Sequence, residues 1–277
     1  MNMNDTAKIN VIVVNYRTAD LTIRCVKSII DKGVASVDNI VVVDNFSQDN
    51  SLDVIRAALP ERVALVASNR NAGFGAGVNK GFDNTNSDYL LILNPDTYFE
   101  FDSVSPVISY MEANKDVGLV GLDLVNPDGS RQYSARRFYS MLDVFARRIK
   151  RVGSVLRKRV DRHLMREAWN SDAPFDADWV MGTGFIIRSS LYKKLNGMDE
   201  SYFLYMEDVD LCARVWRAGQ RVKCFPGAQL VHDHQRSSAA GPLTFAGRTH
   251  IRSLLLFRRR FTLPLVKSPG VNKIISC

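Results

Sequence analysis

In the stretch YLLILNPDTYFE the apolar run at residues 90–93 stops at Asn94-Pro95-Asp96. Proline removes a backbone donor and restricts the residue before it, so strand pairing ends there and a carboxylate is left at the strand's C-terminal end. Mg²⁺ and Mn²⁺ favour hard oxygen ligands and take one or two carboxylates plus substrate phosphates. Asp96, with Asn94 beside it, suits that chemistry; a turn-forming Asx role for the same residues is the alternative. Asp44 follows Val41, Val42 and Val43 in the same way, with Asn45, Ser47 and Asp49 behind it. A strand-end carboxylate can accept from a pyrimidine imide or from ribose hydroxyls, whereas Ser47 and Asp49 read as caps of a following helix. In YMEDVDLCARVW, Glu207, Asp208 and Asp210 mark a helix start, where the macrodipole favours acids. The apolar Phe203, Leu204, Tyr205 and Met206 precede them, and a carboxylate in such surroundings can have its pKa raised enough to act as a base. His232 and His234, two apart at the end of a β-like segment, share a strand face and can flank a metal, or are a surface pair.

These residues need elements to position them. INVIVV and NIVVVD read as strands buried on both faces, YLLILN as a buried strand and residues 63–67 as a further strand, and helical spacing separates them at residues 21–30 and 51–59 and in a piece ending at Phe82. That alternation predicts an α/β fold with a doubly wound, mostly parallel sheet and helices on both faces. Open sheets of this kind bind ligands at the carboxyl ends of their strands, where Asn15, Asp44, Asn45, Asn71, Asn94 and Asp96 all fall. The glycines of NAGFGAGVNKG do not make a dinucleotide fingerprint, because they follow the third strand with the wrong spacing; no P-loop is present either. Without a ligand role, that loop would simply seat a helix on the sheet.

With 277 residues, 46% of them hydrophobic and 24% charged, the chain is globular rather than disordered or fibrous. Its net charge of +8 suggests phosphate-bearing or anionic partners. Cys25, Cys212, Cys224 and Cys277 lack metal-ligand spacing and read as reduced thiols. No cationic, apolar leader and no run of about 20 apolar residues is present, so a cytoplasmic location is expected.

VIVVNYR, VVVDNFSQD, NRNAGFGAGVNKG, LLILNPD, GTGFIIRSSLYKKLNGMDESYFLYMEDVDLCAR and VHDHQRSS together resemble, in order, the GT-A-fold family 2 glycosyltransferases, particularly bacterial rhamnosyltransferase-like members. The resemblance runs from Ile9 to about Ser238. It implies inverting transfer of a sugar, best matched by L-rhamnose from dTDP-rhamnose, with UDP-sugars as the alternative donors. Asn15, Asp44, Asn45 and Asn71 would line the nucleotide, with Gly73 and Asn79 close by. Asp96 matches the last acid of the family's metal motif, and Asn94 stands where many members carry its first Asp. His232 fits the later metal or diphosphate ligand better than His234, Asp208 matches the catalytic base, and Trp179, Gly182, Thr183 and Glu207 match the acceptor side. A divalent metal, Mg²⁺ or Mn²⁺, is the expected cofactor, and a lipid-diphosphate-linked saccharide in cell-surface polysaccharide assembly the expected acceptor.

The resemblance divides the chain into a transferase domain at 1–238, split at residue 100 into donor and acceptor halves, and a helical tail at 239–277. A basic insertion at 136–168 and IRSLLLFRRRF in the tail can lie on an anionic membrane, making the protein peripheral, or be a solvated face and a core helix. A nucleotidyltransferase would open with a Gly-rich, Arg/Lys-containing loop after the first strand. A processive synthase would add spanning helices and a Gln-x-x-Arg-Trp motif, and neither pattern is found. A nucleic-acid-binding module would interleave its basic residues with aromatics, and residues 147–162 contain none.

Overall fold

The computed structural model describes residues 8–146, 154–233 and 244–276. The four apolar runs form β1 (Ile9–Asn15), β2 (Ile40–Asp44), β3 (Ala64–Ala67) and β4 (Tyr89–Leu93), all mutually parallel in the order β3-β2-β1-β4. They are separated by α1 (Ala19–Asp31), α2 (Ser51–Ala58) and α3 (Phe74–Phe82). Alternation along β1 shows why these strands read as continuously apolar. Val11 and Val13 join a core cluster with Cys25, Val26 and Ile29 of α1 and Ile55 of α2, whereas Ile12 and Val14 join the opposite cluster with Val78 of α3. Helix α3 lies close to the sheet because Gly81 has no side chain: a Cβ there would sit 2.6 Å from Ile12 Cγ2.

Beyond β4 the sheet becomes mixed. The short β5 (Thr97–Tyr98) is followed by α4 (Ser105–Ala113), β6 (Val117–Val125), β7 (Ala135–Arg136), α5 (Met141–Ala146) and α6 (Ser154–His163). Then come β8 (Phe175–Asp176), β9 (Trp179–Val180), β10 (Gly184–Arg188), α7 (Ser189–Lys194), α8 (Glu207–Arg217) and β11 (Arg221–His232). Strand β10 inserts antiparallel between β4 and β6, and β11 runs parallel to β6 and pairs antiparallel with β5 and β8 at the far edge. The separate β7–β9 ribbon sets Arg136 opposite Trp179. The expected α/β class therefore stands, with the uninterrupted parallel order confined to β1–β4 and a further parallel pair, β6–β11, beyond the antiparallel β10.

The C-terminal α9 (Phe245–Arg260) and α10 (Val271–Ile275) complete the described chain. Leu254 and Phe257 of α9, then Phe261, Leu263 and Ile274, join the core cluster that holds α8, and Ser253 Oγ donates to the Leu204 carbonyl at 2.8 Å. IRSLLLFRRRF thus supplies core residues, although Ile251 and Leu255 stay exposed at 43% and 53%. Among the described residues no helix is long and apolar enough to cross a membrane. Of the basic insertion, residues 147–153 lie outside the described residues, as does His234.

Candidate active site

The carboxyl ends of β1 and β2 form the first half of the site. Asn15 is fully buried, and its amide donates to Asp44 Oδ1 at 2.7 Å while its carbonyl oxygen accepts from the Thr22 hydroxyl at 2.9 Å. Its polar atoms are therefore engaged within the protein, and what it does is aim Asp44. Ser47 is not a helix cap: its hydroxyl donates to Asp44 Oδ1 at 2.5 Å and its N–H to Asp44 Oδ2 at 3.1 Å. Asp49 does serve the helix start, accepting from the Ser51 N–H at 2.9 Å.

Asn45, buried, donates to Asn71 Oδ1 at 3.1 Å and to the Gly73 carbonyl at 3.0 Å, and Asn71 Oδ1 also accepts from the Gly73 N–H at 3.0 Å. Gly73 sits at φ +101°, where a Cβ would lie 2.2 Å from the Phe203 carbonyl oxygen. The glycine lets the loop between β3 and α3 close against the segment leading to α8. Gly73→Ala is expected to destabilise the fold by about 2 kcal/mol or more, through both the left-handed backbone and the collision, and to lower the melting temperature accordingly.

The second half of the site forms at the β4 terminus. The Asn94 turn is closed by the Thr97 hydroxyl on the Asn94 carbonyl at 2.7 Å, and no hydrogen bond to the Asn94 side chain is seen among the described residues, so an Asx turn does not account for it. Pairing of β5 with β11 sets His232 opposite Thr97 and so beside Asp96. His232 Nε2 lies 3.3 Å from Asp96 Oδ2, and Asp96 Oδ1 is buried without a hydrogen-bond partner. Gln132 spends its amide hydrogens on Asn126 Oδ1 at 2.7 Å and on the His232 carbonyl at 2.8 Å. Its Oε1 is therefore the acceptor for His232 Nδ1 at 2.7 Å, which leaves Nε2 as the ring atom turned to the carboxylate.

An orphaned carboxylate oxygen beside a fixed imidazole fits a divalent cation, with oxygen ligands from elsewhere completing the shell. Among the described residues no group of three or more potential metal-ligating side chains occurs, and Asp96 and His232 could supply two ligands, with substrate phosphates supplying others.

The acidic pair opens α8. Tyr205 and Met206, neither of them glycine, both hold positive φ (66° and 72°) immediately before it, a strained entry of the kind that clusters at functional sites. Asp208 Oδ2 accepts from the Gly182 N–H at 2.8 Å. One residue on, the Thr183 carbonyl accepts from the Asn94 N–H at 2.9 Å. Through these two hydrogen bonds the Asp208 carboxylate is tied to the turn that carries Asp96.

Burial raises the Asp208 pKa against the lowering effects of the Gly182 and Val209 N–H groups and the Arg136 charge. Burial and the neighbouring Asp208 push Glu207 up to about 8, and Glu207 Oε2 has no hydrogen-bond partner. Burial thus favours the protonated form of Glu207 at neutral pH, while the Gly182 and Val209 N–H groups and the Arg136 charge favour the ionised form of Asp208. A carboxyl group with a raised folded pKa weakens the fold as pH climbs from the unfolded value through the folded one. Glu207→Gln is accordingly expected to melt several degrees above the parent beyond about pH 8, by about 1–3 kcal/mol, with the gap closing below about pH 4. Melting curves across pH read this directly.

Two expected site residues are placed elsewhere. Trp179 is only 4% exposed, donates its indole N–H to the Arg137 carbonyl at 2.9 Å and packs against Tyr139, so it has no free face for a sugar ring. Asn79 binds the Met198 backbone on both sides, donating to its carbonyl and accepting from its N–H at 2.8 Å each, and accepts from the Tyr192 hydroxyl at 2.6 Å. It clasps α3 to the segment before α8 rather than facing a ligand. The free thiols of Cys25, Cys212 and Cys224 are all buried. Sequence reasoning did not pick out Arg136 or Gln132. Arg136, 7% exposed, lies over the Trp179 ring at 5.5 Å and is charge-coupled to Asp208.

Comparison with known proteins places this architecture. The chain is 24% identical over 223 residues to an N-acetylglucosaminyl-diphospho-decaprenol L-rhamnosyltransferase of Mycobacterium tuberculosis, covering 76% of this chain and 72% of that one. It is 27% identical over 187 residues to the rhamnosyltransferase WbbL of Escherichia coli, covering 67% of each. Among solved structures, the Pyrobaculum calidifontis mannosyltransferase PcManGT with GDP-Man and Mn²⁺ superposes with a TM-score of 0.65 at 18% identity, over 98% of this chain and 68% of that one. GalNAc-T7 with UDP, GalNAc and Mn²⁺ gives a TM-score of 0.66 at 15% identity over 93% of this chain, which spans about half (48%) of that protein. The family model for Glycosyl transferase family 2 matches residues 10–205, and the chain belongs to that family.

Proposed function

We propose that the protein transfers a sugar, L-rhamnose from dTDP-rhamnose, to a lipid-diphosphate-linked acceptor by a single inverting displacement. The observation that supports this reading is the pair of hydrogen bonds, Asn94 N–H to the Thr183 carbonyl and Gly182 N–H to Asp208, that ties the Asp208 carboxylate to the turn carrying Asp96. Asp44, aimed by Asn15 and Ser47, offers its carboxylate to the nucleoside, and the Asn45–Asn71–Gly73 loop closes that side. Asp96 and His232 would hold a divalent cation, which supplies Lewis-acid stabilisation of the charge on the departing nucleoside diphosphate.

Asp208 accepts the proton of the acceptor hydroxyl as that oxygen bonds to the anomeric carbon, while the bond from that carbon to the diphosphate oxygen breaks with its electron pair on the diphosphate. The Arg136 charge opposes the burial that raises the Asp208 pKa, and Glu207, its pKa pushed up to about 8, spares the site a second negative charge. The rhamnose assignment is supported by the names of the two relatives. UDP-sugars are the second reading, favoured by the UDP-bound neighbour. Transfer to a lipid-diphosphate-linked GlcNAc analogue, screened with dTDP-, UDP- and GDP-sugars and Mn²⁺ or Mg²⁺, tests it. Transfer from dTDP-rhamnose is expected; turnover of a different nucleotide sugar alone would overturn the donor and keep the chemistry.

A further inference from the structure

At the end of the β7–β9 ribbon, beside Arg137 and Asp178, is a cavity of about 250 Å³ that none of the chemistry above uses. Arg137, Arg159, Arg162, His163, Asp178 and Lys267 line it, where α6 meets the chain between α9 and α10. Two of its cations are neutralised: Arg137 pairs with Asp178 at 2.9 Å and Arg159 with Asp143 at 2.6 Å. Arg162 and Lys267 form no ion pair among the described residues, so the cavity presents net positive charge. Its outer wall is held in place by backbone bonds, from Met141 N–H to the Pro264 carbonyl (2.9 Å) and from Leu142 N–H to the Leu265 carbonyl (3.0 Å). On that wall, immediately before Lys267, Leu265 and Val266 are 70% and 61% exposed. An anionic pocket partner and an exposed apolar lip together match an amphiphile, not a free ion.

The cavity is also within reach of the base. Asp178 lines it and Gly182 holds Asp208, and four residues of extended chain span at most about 14 Å, a distance a short saccharide bridges. We infer that this cavity binds the phosphate of a membrane lipid, the diphosphate of the acceptor, whose hydrocarbon chain leaves over Leu265 and Val266. Only the ligand's identity as the acceptor rests on the function proposed above; the phosphate site itself does not.

The test uses the full chain and phosphatidylcholine vesicles doped with a few per cent of a polyprenyl diphosphate, or with phosphatidylglycerol at matched charge. Retention on the diphosphate vesicles is expected to exceed that on the phosphatidylglycerol vesicles. Arg162→Gln/Lys267→Gln should lower it about tenfold, and excess inorganic pyrophosphate should release the parent protein. Leu265→Ser/Val266→Ser should lose the vesicles while still binding pyrophosphate. Equal retention by phosphatidylglycerol, equally lost in the Arg162/Lys267 variant, would assign the site to a phospholipid headgroup and remove the acceptor from it. Undiminished retention of that variant, or pyrophosphate binding with no vesicle retention at all, would overturn the lipid-phosphate site. Sugar transfer to a soluble saccharide acceptor that carries no diphosphate separates the two claims, because that acceptor does not use the cavity and the Arg162/Lys267 variant should match the parent there. Absence of transfer by either protein, alongside variant-sensitive vesicle binding, would reject the proposed function and leave the phosphate site standing.

Discussion

Asp208→Asn is expected to lower kcat about a thousandfold while leaving the KM for the nucleotide sugar within a few-fold of the parent. The amide keeps the acceptor bond from Gly182 N–H, so the loop geometry survives, but it cannot take the acceptor hydroxyl's proton. Removing a positioned general base costs roughly a hundred- to ten-thousandfold. Because burial raises the Asp208 pKa, the acid limb of kcat/KM in the parent should fall above the ordinary carboxylate range of about 4, as the base is protonated. A variant with near-parental turnover would assign the proton to another group, Glu207 being the nearest.

Asp96→Asn is the second large effect. The carboxylate offers one orphaned oxygen and another 3.3 Å from His232 Nε2, so the substitution removes the anionic half of the proposed cation site without removing the turn. Turnover is expected to fall about a thousandfold, several kcal/mol of lost charge stabilisation in the transition state. Titration of Mn²⁺ with dTDP should show cooperative uptake by the parent and none by the variant. Melting temperature should stay near the parental value, since Asn94, Thr97 and Cys25 hold the turn through backbone and hydroxyl contacts that the change does not touch. Parental turnover under chelation in both proteins would exclude the Asp96–His232 pair from the chemistry.

The parts legible in the sequence are those where one chemical constraint repeats along the chain. Strands β1, β2 and β4 are buried on both faces, which leaves little room for polar residues and makes their apolar runs plain. The strand-end Asp44 and Asp96 follow from those runs. Strand β10 is different, because its antiparallel place between β4 and β6 depends on partners more than 60 residues away and on no local pattern. Trp179 misleads because an aromatic side chain reads the same whether it meets a sugar or Tyr139. Asn79 sits in a glycine-rich stretch that looks like a ligand loop, yet its amide is matched to Met198, 119 residues on. Gln132 carries no local signal either; its meaning lies in β11, 100 residues away, where it orients His232. Asp208 is legible by resemblance and by its apolar flank, while the strained Tyr205–Met206 entry that presents it emerges only in three dimensions.

The most direct measurement is the anomeric configuration of the product against that of the donor, read by NMR on the sugar transferred by the parent enzyme. A single displacement with Asp208 as base requires inversion. Retention would contradict it, because a double displacement passes through a covalent bond between the sugar and a protein nucleophile, whereas a base takes only a proton.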